Sequence, residues 1–564
     1  MAWYDEAVFY HIYPLGLTGA PEKNEYEEPV SRLKELEPWI MHIRELGCNA
    51  LYIGPLFESG SHGYDTTDYK KLDSRLGTNA DLKEFVAKCH EQGIRVILDA
   101  VFNHTGRDFF AFRDLKEHRE ASAYKDWYCN VNFWSNNEYN DGFSYDNWGG
   151  YNLLVRLNQR NPAVKEYLFD VIRFWVREFD IDGLRLDTAD VLDFDFMHEM
   201  RMLANEVKAD FWLMGEVIHG EYSRWVNEGM LHAVTNYQLH KALYSGHNDH
   251  NYFEIAHTVK RLYDMIGSPR TGRQLYSFAD NHDVDRIISK LQDKSQFYPL
   301  HMLLYTLPGI PSIYYGSEFG IEGRKEGGSD APIRPKIELA DDQNALSENG
   351  YCKLLAELGT LRGQNPILSY GDYEELLLTN RQYAFARRLD GNSILVAVNN
   401  DENPAEIWIS DCGSSSYRAY FSGESICSQN GKIQLRLPAH FGEILLPQNM
   451  EGERLPEGEE SLREEIRKAE QKQAEKAHKA EEEKQVEKES QTEAEKRTEE
   501  QSAGEEDKLP PVPNKPYEEM TIEELQAAIL EKMAGNGPVT EEMKRTVFEN
   551  VYPNSLLNWV RSFR

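Results

Sequence analysis

Four short stretches of this 564-residue sequence end in titratable side chains. They are Asp99-Ala-Val-Phe-Asn103-His104, Gly183-Leu-Arg185-Leu-Asp187, Met214-Gly-Glu216 and Asp280-Asn-His282-Asp283. In a β-strand, alternation puts Gly183, Arg185 and Asp187 on one face and Leu184 and Leu186 on the other. The leucines need apolar partners, so Arg185 shares the opposite side with Asp187. A neighbouring guanidinium favours the charged carboxylate, which predicts a depressed pKa for Asp187 and suits a nucleophile. Glu216 has no basic neighbour in sequence, and a less polar setting would raise its pKa, as a proton donor needs. Two carboxyl groups with pKa values pushed apart are what glycosidic bond cleavage requires. One attacks the anomeric carbon while the other protonates the leaving oxygen. Without that chemistry, the same groups would only be ion pairs tying strands together.

Such residues need a scaffold that brings four distant segments to one place. Over the first 365 residues, apolar runs alternate with amphipathic stretches. Eight runs stand out: Val8–Tyr13, Ala50–Ile53, Val96–Ala100, Gly183–Leu186, Phe211–Met214, Ala233–Thr235, Leu275–Ala279 and Ile310–Tyr315. Helical periodicity marks 31–46, 79–92, 163–179, 195–208, 252–266 and 292–306. Val96-Ile-Leu-Asp-Ala100 is apolar on both faces, as parallel strands covered by helices are. Eight such units predict an α/β fold, a (β/α)8 TIM barrel, with chemistry at the carboxyl ends of its strands. The barrel occupies 1–104 and 161–365. Between its parts, 105–160 forms a loop subdomain with ten aromatic residues among the 28 from Tyr124 to Tyr151. Flat rings stack on sugar C–H faces, so this is either a sugar-binding wall or the subdomain's own core, with residues in both roles. Residues 366–447 alternate with turns, as an antiparallel β-sandwich does.

Composition limits the partners. Net charge is −33, from 95 acidic and 62 basic residues, which opposes general binding to nucleic acid or anionic membranes. No apolar run approaches the ~18 residues that span a bilayer. Six scattered cysteines lack CxxC spacing, and no Lys or Arg precedes Lys23, so reduced thiols and a cytoplasmic location are expected. The charge is uneven. Residues 451–510 carry net −9 with few large apolar residues, so a charged linker over 448–516 is expected, a solvated helix or disordered chain unable to bury a core. A coiled coil there would need sustained a/d heptads, which are missing. Beyond a proline-rich spacer, 517–564 reads as a small helical module, a candidate for docking an unknown protein partner. Thr521 opens a capping box, Thr540 caps a second helix and Ser555 a third.

The four stretches, in their order and extended to Gly183-Leu-Arg-Leu-Asp-Thr-Ala-Asp190, Gly215-Glu-Val217 and Phe278-Ala-Asp-Asn-His-Asp283, resemble the four conserved regions of the α-amylase family of glycoside hydrolases. The likeness covers about residues 8–447 and none of 451–564. It implies Asp187 as nucleophile, Glu216 as general acid/base and Asp283 as the third carboxylate steadying the transition state. It implies that His104, Arg185 and His282 hold the reacting sugar, with Asp99 supporting them. His62-Gly-Tyr-Asp-Thr-Thr-Asp-Tyr69 resembles the segment whose tyrosine, Tyr64, stacks under that sugar. Gly328-Ser-Asp-Ala-Pro-Ile-Arg334, at shifted spacing, resembles one whose aspartate and arginine, Asp330 and Arg334, grip a terminal glucose. The motifs around Phe102–Arg113, Tyr124–Trp127 and Leu157–Pro162 are most similar to cyclomaltodextrinases, neopullulanases and maltogenic amylases. Those carry an N-terminal β-domain that the position of the first strand leaves no room for, which argues against dimerisation by that route. The resemblance requires no cofactor and allows a calcium ion at Asn103.

The implied activity is retaining hydrolysis of α-1,4, and also α-1,6, bonds in maltodextrins or cyclodextrins, with the carboxyl groups of Asp187 and Glu216 ~5–5.5 Å apart. A 4-α-glucanotransferase of the same fold would differ in passing the sugar to another sugar instead of water. A non-catalytic binding scaffold would have no use for the intact carboxylates. Asp187→Asn is expected to abolish turnover while sugar binding survives; normal hydrolysis in that variant would refute the assignment.

Overall fold

The computed structural model describes residues 2–265, 275–448, 461–476, 478–479, 512–535, 538–549 and 552–563. Eight parallel strands close into a barrel: β1 (Phe9–Ile12), β2 (Ala50–Ile53), β3 (Arg95–Ala100), β4 (Gly183–Leu186), β5 (Trp212–Gly215), β6 (Ala233–Thr235), β7 (Leu275–Phe278) and β8 (Ile310–Tyr314). Each coincides with one of the eight apolar runs, and each pairs with its sequence neighbours, β8 closing on β1. Alternation sorts the side chains. Phe9, Ile97, Trp212, Met214, Tyr276, Phe278 and Ile310 belong to a core inside the barrel. Leu98, Leu184, Leu186 and Leu213 point outward into the core shared with the helices. Trp212 stacks on Phe9 with ring centres 5.0 Å apart. Gly183 makes room for it, because a Cβ there would lie 2.4 Å from the Trp212 carbonyl oxygen. The lower barrel is thus a packed plug, and the polar ends of the strands lie above it.

Thr78 caps the helix Asn79–Glu91 by accepting from the Asp81 amide, and Asn161 caps Pro162–Phe179 by accepting from Ala163. These caps start helices directly after loops and set the return path to β3 and β4. The loop subdomain is built on a three-stranded sheet of His104–Thr105, Tyr151–Arg156 and Asn147–Trp148. After the barrel, a six-stranded antiparallel sheet faces a pair formed by Ala405–Ser410 and Lys432–Leu437 across their own apolar core. No described helix is long and apolar enough to cross a membrane.

The charged segment departs from expectation. Residues 462–476 are helical, and Leu462, Ile466 and Ala469 are buried, at 4%, 1% and 1% exposure. Leu462 and Ile466 join the main core. The Arg463 amide donates to the Phe421 carbonyl (3.1 Å), and Lys353 pairs with Glu465 (2.7 Å). The expected solvated linker therefore contains a docked helix, most of it within the compact unit formed by 1–474, while 449–460 lie outside the described residues. Overall composition concealed this, because three apolar positions at spacings of four and three suffice for one buried stripe. The stretch 480–511 lies outside the described residues.

A second unit, 475–564, holds the helices Ile522–Gly535, Glu541–Glu549 and Pro553–Ser562. Leu525, Ile529, Val547, Leu556 and Val560 form its core. Thr521 and Glu524 make the expected reciprocal cap, and Thr540 accepts from the Met543 amide. Ser555 is not the third cap. That helix starts earlier, with Pro553 in its first turn, where a missing N–H costs nothing.

Burial of Ile466 gives a direct test of the docked helix. Ile466→Ala should cost about 2–4 kcal/mol of stability, read by thermal denaturation of the full chain. An unchanged melting temperature would mean that the segment is solvated after all.

Candidate active site

Strand register builds the site. Asp99 on β3 and Arg185 on β4 are paired positions, and Arg185 pairs in turn with Met214 on β5. One step further along the strands come Asp187, whose amide donates to the Ala100 carbonyl, and Glu216, whose amide donates to the Leu186 carbonyl. All four side chains therefore enter the barrel mouth together. The Arg185 guanidinium meets three carboxyl groups: Nη1 lies 2.8 Å from Asp99 Oδ1 and 2.9 Å from Asp187 Oδ1, and Nη2 lies 2.9 Å from Glu216 Oε2. The Thr188 amide also donates to Glu216 Oε2 (3.0 Å). A short carboxylate such as Asp99 is held from the far side by the hydroxyls of Tyr52 (2.9 Å) and Tyr64 (3.1 Å). Gly54 leaves room for it, since a Cβ there would lie 2.3 Å from the Asp99 Cβ.

This arrangement corrects the expected pKa order. Burial raises Asp187 well above the ordinary carboxylate range; Arg185 opposes the rise and Glu216 adds to it. Burial raises Glu216 too, with Arg185 opposing and Asp283 adding. Asp99 is raised by burial against the same arginine. Sequence neighbours gave Arg185 to Asp187 alone. Barrel closure divides its single charge among three desolvated carboxyl groups, so its pull on each is partial and burial prevails. Glu216, expected in an apolar setting without a base, in fact touches that base.

The remaining predicted residues form the rim. His282 Nε2 lies 3.0 Å from Asp283 Oδ2 and also contacts the Tyr64 hydroxyl. The Tyr64 and His282 rings stack, with centres 5.8 Å apart and 8° between planes. Burial holds His282 well below its usual pKa, with Arg334 and Arg185 acting in the same direction. His104 is lowered to about 3, first by burial. The Asn103 side-chain amide donates to His104 Nδ1 (3.1 Å), which leaves the Nε2 proton of a neutral ring, buried and without a protein partner, free for a ligand hydroxyl. Arg334 binds Asp283 (3.0 Å) and Asp330 (2.8 Å), and Lys325 holds the other side of Asp330 (2.8 Å). In this arrangement Asp330 and Arg334 therefore engage each other, and Arg334 also fixes Asp283.

Asn103 Oδ1 is buried without a partner, as a metal-ligating oxygen would be. Among the described residues, however, no group of three or more His, Cys, Asp or Glu side chains could hold a metal ion. The carboxylates that calcium usually draws on are not assembled there among the described residues.

Several site residues escaped the sequence reading. The Tyr237 hydroxyl donates to Glu216 Oε1 (3.4 Å) and accepts from Asn281 (3.1 Å). His11 stacks on Tyr52, with ring centres 4.1 Å apart, and Tyr13 stacks on His282. The signal for His11 was available: it occupies an inward position near the end of β1. Tyr237, at the start of a helix after β6, had none. The loop-subdomain aromatics divide. Trp127, Tyr128, Phe143 and Tyr145 are buried in the core, whereas Trp134, Tyr139, Trp148 and Tyr151 are exposed. Trp148 lies 6.1 Å from the His104 ring and stacks on Tyr151.

Residues 37–353 match the family model for the alpha amylase catalytic domain, and residues 371–445 match the alpha-amylase C-terminal domain. The chain belongs to the α-amylase family of glycoside hydrolases. Its similarity to a cyclomaltodextrinase of a Bacillus species is 33% identity over 425 residues, 71% of this chain and 74% of that one. Neopullulanase 2 of Thermoactinomyces vulgaris is 30% identical over 472 residues, 78% of each. A solved cyclomaltodextrinase structure superposes with a TM-score of 0.71 at 26% identity, covering 78% of both chains. As a member of this family the protein is a glycosidase, and the matched regions contain all the carboxylates described above.

Since one guanidinium spans three carboxyl groups, Arg185→Lys should be severe although it keeps the charge. An ammonium cannot reproduce the fork, and kcat is expected to fall about 100-fold through misplacement of Asp187 and Glu216, with the fold retained by circular dichroism. Activity within about threefold of wild type would show that bridging geometry does not matter.

Proposed function

We propose that this chain is a retaining hydrolase of α-glucans that cleaves α-1,4, and also α-1,6, bonds in maltodextrins or cyclodextrins. The observation that carries the reading is the Arg185 fork joining Asp187, Glu216 and Asp99 in a water-poor barrel mouth. The names of the cyclomaltodextrinase and neopullulanase relatives support the substrate class.

In this reading an Asp187 carboxylate oxygen attacks the anomeric carbon while Glu216 gives its proton to the departing glycosidic oxygen. The C–O bond to the leaving sugar breaks as the bond to Asp187 forms, giving a β-linked glycosyl-enzyme. Glu216, now ionised, takes a proton from water, whose oxygen displaces Asp187 and restores the α configuration. The upward shift of Glu216 suits the first step, because burial favours the protonated carboxyl group that a general acid must be. Arg185 steadies the carboxylate that remains. Asp283, fixed by Arg334 and His282, faces the developing positive charge on the sugar ring. His104 and His282, held neutral by burial, serve as hydrogen-bonding groups for sugar hydroxyls. All six cysteines are free thiols, which supports a reducing, cytoplasmic setting.

Product analysis tests the proposal. The protein would be incubated with maltoheptaose, β-cyclodextrin, pullulan and starch, and the products separated. Glucose and maltose released from cyclodextrin, initially as α-anomers, are expected. Products longer than the starting maltoheptaose would make the chain a glucanotransferase, and no cleavage of any of the four would refute the reading.

A further inference from the structure

We propose that a second sugar-binding cleft lies beside the catalytic centre, between the root of the loop subdomain and the loop that follows β4. The inference rests on the α-glucan reading above. A cavity of about 520 Å3 opens there, within the ~300–1,000 Å3 typical of ligand sites. None of the carboxyl groups gathered around Arg185 lines it.

Charge decides the class of ligand. The cleft contains two guanidinium groups, Arg156 and Arg160, and two carboxylates, Asp146 and Asp193. The carboxylates are already held: Asn130 donates to Asp146 (2.8 Å), and Arg160 Nε donates to Asp193 (2.9 Å). The charges cancel, so neither an anion nor a cation is drawn in strongly. The Arg156 side chain has no hydrogen bond or ion pair among the described residues and keeps its donors for a ligand. Val191 and Phe194, 43% and 37% exposed, add an apolar rim, and the Phe194 ring is braced against Trp225. A neutral cleft with amide and guanidinium donors and an exposed apolar rim suits a neutral ring carrying hydroxyls on its edge and C–H groups on its faces.

The cleft is also pre-organised. Gln159 donates to the Phe102 carbonyl (3.0 Å) and accepts from the Asp193 amide (2.7 Å), tying the end of β3 to the loop after β4. Asp193 then caps the next helix through the Phe196 amide (3.1 Å). The same loop contains Thr188, whose amide holds Glu216. A glucan arm bound in the cleft would stay within a few residues of the reacting centre, so the site would retain long or branched chains between cleavages.

Calorimetric titration of the full-length Asp187→Asn variant with maltoheptaose tests this. Two maltoheptaose molecules per chain are expected, falling to one when Val191→Arg is added; Arg156→Ala with Phe194→Ala should give the same loss if the added arginine perturbs the loop. In the otherwise wild-type chain, Val191→Arg should leave maltotriose hydrolysis within twofold. A single maltoheptaose per chain before the cleft is altered would overturn the proposal, as would two afterwards. A parallel loss of maltotriose hydrolysis would also overturn it, by making the cleft part of the catalytic groove. Failure of the wild-type protein to cleave any α-glucan would instead count against the functional reading beneath it.

Discussion

One buried guanidinium organises the barrel mouth. Arg185 is 2% exposed and contacts Asp99, Asp187 and Glu216 on three adjacent strands. Burying a lone carboxylate is prohibitively costly, and burying three around one cation remains costly unless each has further partners. The protein supplies them: the hydroxyls of Tyr52 and Tyr64 for Asp99, the Thr188 amide and the Tyr237 hydroxyl for Glu216, and the Thr188 hydroxyl for Asp187 (3.3 Å). Burial of the cluster keeps the carboxyl pKa values raised against the pull of Arg185, a perturbation typical of functional sites.

The same constraint shapes the scaffold. Arg185 must lie on an inward position of β4, so the leucines beside it face the helices, and Gly183 below it gives way to Trp212. The lower barrel is therefore filled by Phe9, Trp212 and Tyr276, below the cluster at the carboxyl ends of the strands. Around that opening the rings of His11, Tyr52, Tyr64, His282 and Tyr13 pack on one another. Their burial keeps both His11 and His282 uncharged, so the wall adds hydrogen bonds without adding cations that would compete with Arg185 for the carboxylates.

Beyond the barrel, a short stripe of apolar residues proved enough to dock a segment whose composition is mostly charged. Leu462, Ile466 and Ala469 cover apolar surface while the glutamates and lysines around them stay at the edge, where Glu465 meets Lys353. Average composition describes what a segment does in bulk, whereas packing depends on the spacing of a few side chains.

Much of the barrel was legible in the sequence because period and polarity are local properties. The eight apolar runs mark the eight strands, and alternation in Gly183–Asp187 correctly put Arg185 and Asp187 inside and the leucines outside. Asp187 and Glu216 stand out by the same local reading of strand ends, whereas the role expected of Asp283 came from the resemblance to the α-amylase family. What alternation cannot supply is register between strands. That Arg185 would serve Glu216 as well as Asp187, that Tyr237 would reach Glu216 from the start of the helix after β6, and that Arg334 would fasten Asp283 depend on which residues face one another across the closed barrel. The sequence alone determined that Arg185 and Asp187 enter the barrel mouth together; only the tertiary structure brought His11, Tyr13 and Tyr237 beside them and decided which groups share a charge, because electrostatic energy depends on distances in space and not on separation along the chain.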